Sequence, residues 1–267
     1  MSKHGSARVV FAGAAIAATL ALAGCGGVPK GTKPDVPGEN AGGTGAATSR
    51  LSSNAPLTTR PNSLQGAAAA KSFAKANSIP FPVAVGNTWI YQTQADGQTG
   101  RTTNRIVGAG PSSAGYQVTL SSTTAVGGSA STAVPVYTFY PNGTIGYPVP
   151  QVSGVPVTGT VRWPDAEGLA SGKIYRSTLH IQGGDADVTV QGVGTSSVSV
   201  PAGTYRASVV KTTITAQGQN VEVTVWIAQG TGPVKTEVVI RAPGGTGLTT
   251  NELLSFTKAV SVIGDGS

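Results

Sequence analysis

The chain has 267 residues, of which 39% are hydrophobic, 11% charged and 6% aromatic, and it contains a single cysteine. One thiol excludes a disulfide framework and a thiolate metal site, so stability has to come from packing. The formal charge of +7 does not indicate nucleic-acid binding either, because residues 79–267 hold ten Lys and Arg against nine Asp and Glu and the excess lies ahead of them.

Residues 1–24 carry the three zones of an export signal: Lys3 and Arg8, an apolar run from Val9 to Leu22, then small residues. The run is shorter than the roughly twenty residues that a spanning helix needs. It ends in Leu22-Ala23-Gly24-Cys25. This ending resembles the lipobox of bacterial lipoproteins, in which Leu and two small residues precede an obligatory Cys that becomes the first mature residue. The resemblance implies a diacylglyceryl thioether on Cys25, with Ala23 and Gly24 small enough for the signal peptidase to cut beside it. It also implies a place outside the cytoplasm, on the cell membrane, or on an outer membrane where the source has one. Two or more acyl chains on one sulfur make a stable anchor, at about 0.8 kcal/mol per buried methylene. An ordinary export signal with an incidental cysteine is the alternative, and it shares the address without the anchor.

Residues 25–78 read as a basic linker. Lys30, Lys33, Arg50, Arg60, Lys71 and Lys75 stand there against Asp35 and Glu39. Beside a lipid anchor, each such cation attracts anionic headgroups by about 1 kcal/mol; a plain solvated linker is the simpler alternative. From Gly26 to Ser63 almost no large apolar residue occurs, so ordering cannot be offset by burial and the segment is expected to be disordered. Residues 64–76, with Ala67 to Ala70 in a row and Asn62 or Ser63 as cap, favour a short helix. Leu64 and Phe73 fall on opposite faces of it, so it has no apolar stripe.

From residue 79 onward, short apolar–polar alternations recur between Gly, Pro and Asn turns at spacings of about 8–14 residues. Val221, Val223, Val225 and Ile227 alternate with Glu222, Thr224 and Trp226. A period of two means a strand with one face on a core. Val234, Thr236, Val238 and Ile240 repeat the scheme, and the short Gly230–Pro233 link predicts a hairpin. Further strands are predicted at 88–94, 102–107, 116–122, 134–140, 155–163, 173–181, 187–193, 196–200, 205–216 and 252–260. No segment here carries helical periodicity. Pro141-Asn142-Gly143-Thr144 and Pro201-Ala202-Gly203-Thr204 place Gly where a turn needs φ > 0. About eleven or twelve strands with short links make residues 79–267 a single all-β antiparallel meander, since parallel pairing needs long crossovers. Twist forbids a flat sheet that wide, so it closes as a strongly curved half barrel, a barrel or a two-sheet sandwich.

Three stretches of the domain carry a resemblance. They are Phe81-Pro82-Val83-Ala84-Val85-Gly86-Asn87-Thr88-Trp89-Ile90-Tyr91, Val200-Pro201-Ala202-Gly203-Thr204-Tyr205, and Trp226-Ile227-Ala228-Gln229-Gly230-Thr231-Gly232-Pro233-Val234-Lys235. Together they are similar to a pattern in uncharacterised bacterial secreted proteins and lipoproteins, with Gln229 where those have Pro. Such domains resemble, more distantly, the half barrels of lipoprotein carriers, which hold acyl chains on a concave face. That resemblance implies Trp89, Tyr91, Trp163 and Trp226 as candidate ligand contacts. Their plain reading is as core or rim aromatics.

Catalytic chemistry finds little support. His180 is the one histidine beyond the signal and has no nucleophile elbow to serve, so no catalytic residue is assigned. Asp185 and Asp187 share a strand face, compatible with a weak calcium contact or with a solvated turn, and no metal site is assigned. Asp165 and Glu167 are the best carboxylate pair for a glycan-acting hydrolase. The expected function is a membrane-anchored extracytoplasmic binding module without a cofactor. Its partners would be membrane lipid through Cys25 and a lipid or other apolar ligand. The alternative is an envelope interaction module contacting protein or glycan, with nucleic acid excluded.

Overall fold

The computed structural model describes residues 81–148, 157–181, 184–216 and 218–259. The expected signal, the lipobox with Cys25, the linker and its short helix lie outside the described residues. Among the described residues fourteen strands and one short helix follow one another: β1 Thr88–Ala95, β2 Gln98–Ser112, β3 Gly115–Val126, β4 Ser129–Ala133, β5 Val136–Phe139, β6 Ile145–Pro148, β7 Val157–Thr158, β8 Thr160–Trp163, α1 Ala166–Ser171, β9 Ile174–Ile181, β10 Gly184–Val200, β11 Gly203–Ala216, β12 Gln219–Ala228, β13 Gly232–Ala242 and β14 Gly245–Thr257.

All pairings are antiparallel, in the order β7-β9-β10-β11-β12-β13-β14-β1-β2-β3-β5-β6-β8, with β4 attached to β3. The two strands at the ends of this order, β7 and β8, are consecutive in the chain and separated by Gly159 alone. One short strand therefore starts on β9, turns at Gly159 and finishes on β6, which draws the sheet round into a nearly closed barrel. Gly159 takes φ +120°, and a Cβ there would sit 2.9 Å from Leu179 Cδ2. Only glycine meets both demands without strain.

Curvature comes from bulges, each of which bends its strand and increases the twist. Register shifts occur at Ile106/Gly108 and Gly192/Gly194, and opposite Ile90/Tyr91 and Trp226/Ile227. Val107 and Val193 are the extra residues of two of these, and each is exposed next to an inward-facing residue, Ile106 and Gly192.

The alternation read from the sequence points one side chain in two into the barrel. Val221, Val223, Val225, Ile227, Val234, Val238, Leu253, Ile106, Val118, Leu120, Val188 and Val190 are each no more than 5% exposed. Burying one such side chain stabilises the fold by roughly 1.5–3 kcal/mol. A polar seam crosses this interior on four successive strands. Thr93 Oγ1 donates to Asn251 Oδ1 at 2.7 Å, and the Thr93, Thr102 and Thr124 hydroxyls stand 2.8 and 2.9 Å apart in a chain. Each of these three hydroxyls has a partner, as burial favours, whereas Asn251 Nδ2 and the buried Ser122 Oγ have none.

One end of the barrel is covered by its own chain. The β10–β11 hairpin bends past Gly194, and its tip reaches β14, where Ala202 N–H donates to Leu253 O at 2.9 Å. Val198, Val200 and Ala202 thereby pack on the core. Helix α1 lies close over Gly192, whose Cβ position would fall 2.6 Å from Leu169 Cα, and Leu169 joins the core.

Several expected boundaries change. Gly159 splits the strand predicted over 155–163, and residues 187–193 and 196–200 form one bulged strand. β4 and β6 were not foreseen. Helix α1 corrects the expectation of no helix: at six residues it is too short to show a period, and its caps define it.

Candidate functional site

The three resemblance-bearing stretches meet at one place in the fold. Trp89 Nε1 donates to Thr231 O at 2.6 Å, and the Tyr91 hydroxyl donates to Pro233 O at 3.0 Å, so two rings of β1 hold the β12–β13 turn by its backbone. Asn87 Nδ2 donates to Pro82 O at 3.2 Å, while Asn87 Oδ1 accepts from Ala259 N–H at 2.8 Å. Gly232, at φ +88°, leaves its Cβ position 3.5 Å from Trp89 Nε1 and 3.4 Å from Pro82 Cδ. Phe81 lies against Trp89, Phe139 and Tyr137 with ring centroids 5.6, 6.0 and 6.2 Å apart. The tip of the Val200–Tyr205 stretch is tied to Leu253, the residue opposite Tyr91. Glycine at 232 lets the turn approach the indole, and the Asn, Trp and Tyr side chains bond to main chain.

Trp89 and Tyr91 are each 1% exposed, and burial, with a smaller contribution from Tyr137, pushes the Tyr91 hydroxyl far above its ordinary value of 10.0. Trp163 is also buried, on β8. Trp226 lies on the opposite, outer face, half-buried beneath Lys235, whose Nζ is 5.7 Å from the ring centroid and bonded to Glu252 Oε1 at 2.9 Å. The structure thus brings Trp89 and Tyr91 together and places Trp163 and Trp226 on other strands.

Asp165 and Glu167 sit at the start of α1. Asp165 Oδ1 accepts from Gly168 N–H at 2.7 Å as the N-cap and from the Tyr175 hydroxyl at 3.2 Å. Burial first, then the Asp165 and Glu167 charges, raise the Tyr175 hydroxyl above its ordinary value. An Asp with an acid two residues on, before Gly-Leu-Ala, is a helix-start signal, and its structural role was legible in those residues. His180 Nδ1 lies 2.8 Å from Asp185 Oδ1 on adjacent strands, with both side chains about two-thirds exposed. Among the described residues no three His, Cys, Asp or Glu gather as a metal site.

A groove of about 460 Å³ opens on the outer side of the barrel at the β1–β2 turn. Gln94 is in register with both Thr99 and Thr250, so these three side chains form one row across β14, β1 and β2. Asp96 and Gly97 make the two-residue turn, both at positive φ, 48° and 78°. Leu248, 51% exposed, lines the groove from β14, and Gln98 lines it from β2. A Cβ at Gly127 would overlap Gln98 Oε1, so that glycine makes room for the Gln98 amide. None of these residues was singled out from sequence; the sole signal was the Asp-Gly pair between two strands.

No protein-family model matches the chain, and no curated protein matches it. Among solved structures, the chain is similar to a candidate exported protein with a YmcC-like fold from Bacteroides fragilis. The identity is 18% and the TM-score 0.46, over 67% of this chain and 99% of that one. It is also similar to a candidate lipoprotein from Parabacteroides distasonis, at 14% identity and a TM-score of 0.48, over 67% of this chain and 98% of that one.

Proposed function

We propose that the chain is an exported lipoprotein, tethered through Cys25, whose barrel serves as an interaction module of the cell envelope and makes its contacts from the outer surface. The observation that carries this reading is the burial of the inward-facing side chains among the described residues. Core-facing side chains from Trp89 and Ile106 round to Val238 and Leu253 are almost wholly withdrawn from solvent, and the β10–β11 tip and α1 cover one end. An acyl-chain carrier of the half-barrel kind needs an apolar hollow of several hundred Å³. Among the described residues the inward-facing side chains leave no broad apolar surface open to solvent, so on this reading a lipid would have to part them.

The test uses the full chain purified in detergent. Mass spectrometry is expected to find no lipid beyond the covalent anchor, and a fluorescent fatty acid is expected not to saturate. Stoichiometric uptake of either would return the carrier reading to first place. For the tether, Cys25→Ser is expected to move the protein from the detergent phase to the aqueous phase, and unchanged partitioning would remove the anchor from the account. Retention of the parent protein on isolated cell-wall sacculi is the positive expectation.

A further inference from the structure

We infer that the groove at the β1–β2 turn is a binding site for a neutral oligosaccharide, an inference that rests on the envelope-module reading and names the partner. The chemistry of the lining decides among classes. Gln94 presents a carbonyl acceptor and an NH₂ donor in one plane, the pairing that adjacent sugar hydroxyls require, because a hydroxyl both donates and accepts, whereas the Gln98 amide is turned to Gly127. Thr99 and Thr250 add hydroxyls on the same row, and Asp96 adds an acceptor. Leu248 is the exposed apolar surface against which the C–H face of a sugar ring packs.

Other partners fit less well. The lining carries one carboxylate and no cation, which disfavours phosphate-bearing or acidic ligands. β14, β1 and β2 are each paired on both sides, so an extended peptide finds no free strand edge to join. One leucine is too small an apolar surface to seat an amphipathic helix. The volume lies within the roughly 300–1,000 Å³ usual for small-ligand sites. Without an aromatic platform the affinity should be modest, so the binding strength on an envelope polymer would come from repeated units.

The test titrates chitotetraose and mannotetraose into the full chain in detergent, with saturation-transfer NMR and calorimetry as readouts. At least one sugar is expected to bind saturably in the millimolar range. Gln94→Ala and Leu248→Ala are each expected to weaken binding about three- to ten-fold, in line with loss of one hydrogen bond or one apolar contact. Both positions lie on the outer face, so unchanged melting temperatures should accompany the loss. Binding of neither sugar, or binding that survives in both variants, would overturn the groove assignment. Sacculus retention separates the two levels of inference. Equal retention of parent and variants removes the groove and leaves the envelope module standing, whereas no retention of the parent removes the module reading itself.

Discussion

Tyr91 illustrates how one side chain couples a sequence motif to stability. Its hydroxyl is buried and donates to Pro233 O, so the tyrosinate is strongly disfavoured in the folded protein. With the folded pKa raised above the unfolded value of about 10, the neutral form binds its proton more tightly when folded. The stabilisation is fully present below pH 10 and is lost as pH rises beyond it, at about 1.4 kcal/mol per pH unit for this one group. Urea unfolding from pH 8 to 11 is expected to show that decline, and Tyr91→Phe should reduce its slope. At neutral pH the same substitution should cost about 1–3 kcal/mol, because it leaves a buried carbonyl without its donor. Gly232→Ala should cost about 1–2 kcal/mol through its positive φ. Residue types and spacing made these positions visible in the sequence. Their partners were not visible, since Trp89 and Thr231 are 142 positions apart.

Helix α1 shows the opposite balance between local signal and context. Asp165 caps it, Gly172 ends it at φ 68°, and Leu169 fixes it over Gly192. Asp165→Ala is expected to cost about 1 kcal/mol in thermal or chemical denaturation, the usual value of an N-cap. Gly192→Ala should be worse, about 1–3 kcal/mol, since a methyl there meets the Leu169 backbone at 2.6 Å and the helix must move. Retained stability in Gly192→Ala would show that the helix is not seated as described. β12 and β13 were read correctly because each repeats its period several times and presents the faces expected of it, and the Gly230–Pro233 link turns as expected, whereas β10 was divided at its bulge and β2 and β14 extend well beyond the expected 102–107 and 252–260. β4 and β6, at five and four residues, offer too few repeats for a period to emerge.

At the scale of the whole barrel, closure depends on two distant junctions. β1 pairs with β2 next to it in sequence and with β14 from the far end of the described chain, Thr88 facing both Arg105 and Thr257. Such long-range pairing places folding in the millisecond-to-second range or slower. The second junction is Gly159. Gly159→Ala should loosen the β7–β9 contact, with faster amide exchange at His180 and Ile181 and an overall cost of about 1–3 kcal/mol. Unchanged protection there would mean that closure does not depend on this glycine.

The sequence by itself determined that the domain is antiparallel β, which residues of β12 and β13 face inward, and where several of its turns fall, because those properties follow from a period of two and from Gly, Pro and Asn at fixed offsets. Only the tertiary structure decided how the sheet closes and which outer residues come together as a groove. Each of these depends on register between strands far apart in the chain. Alternation is the same for an open sheet, a half barrel and a barrel, so a local pattern carries no information about it.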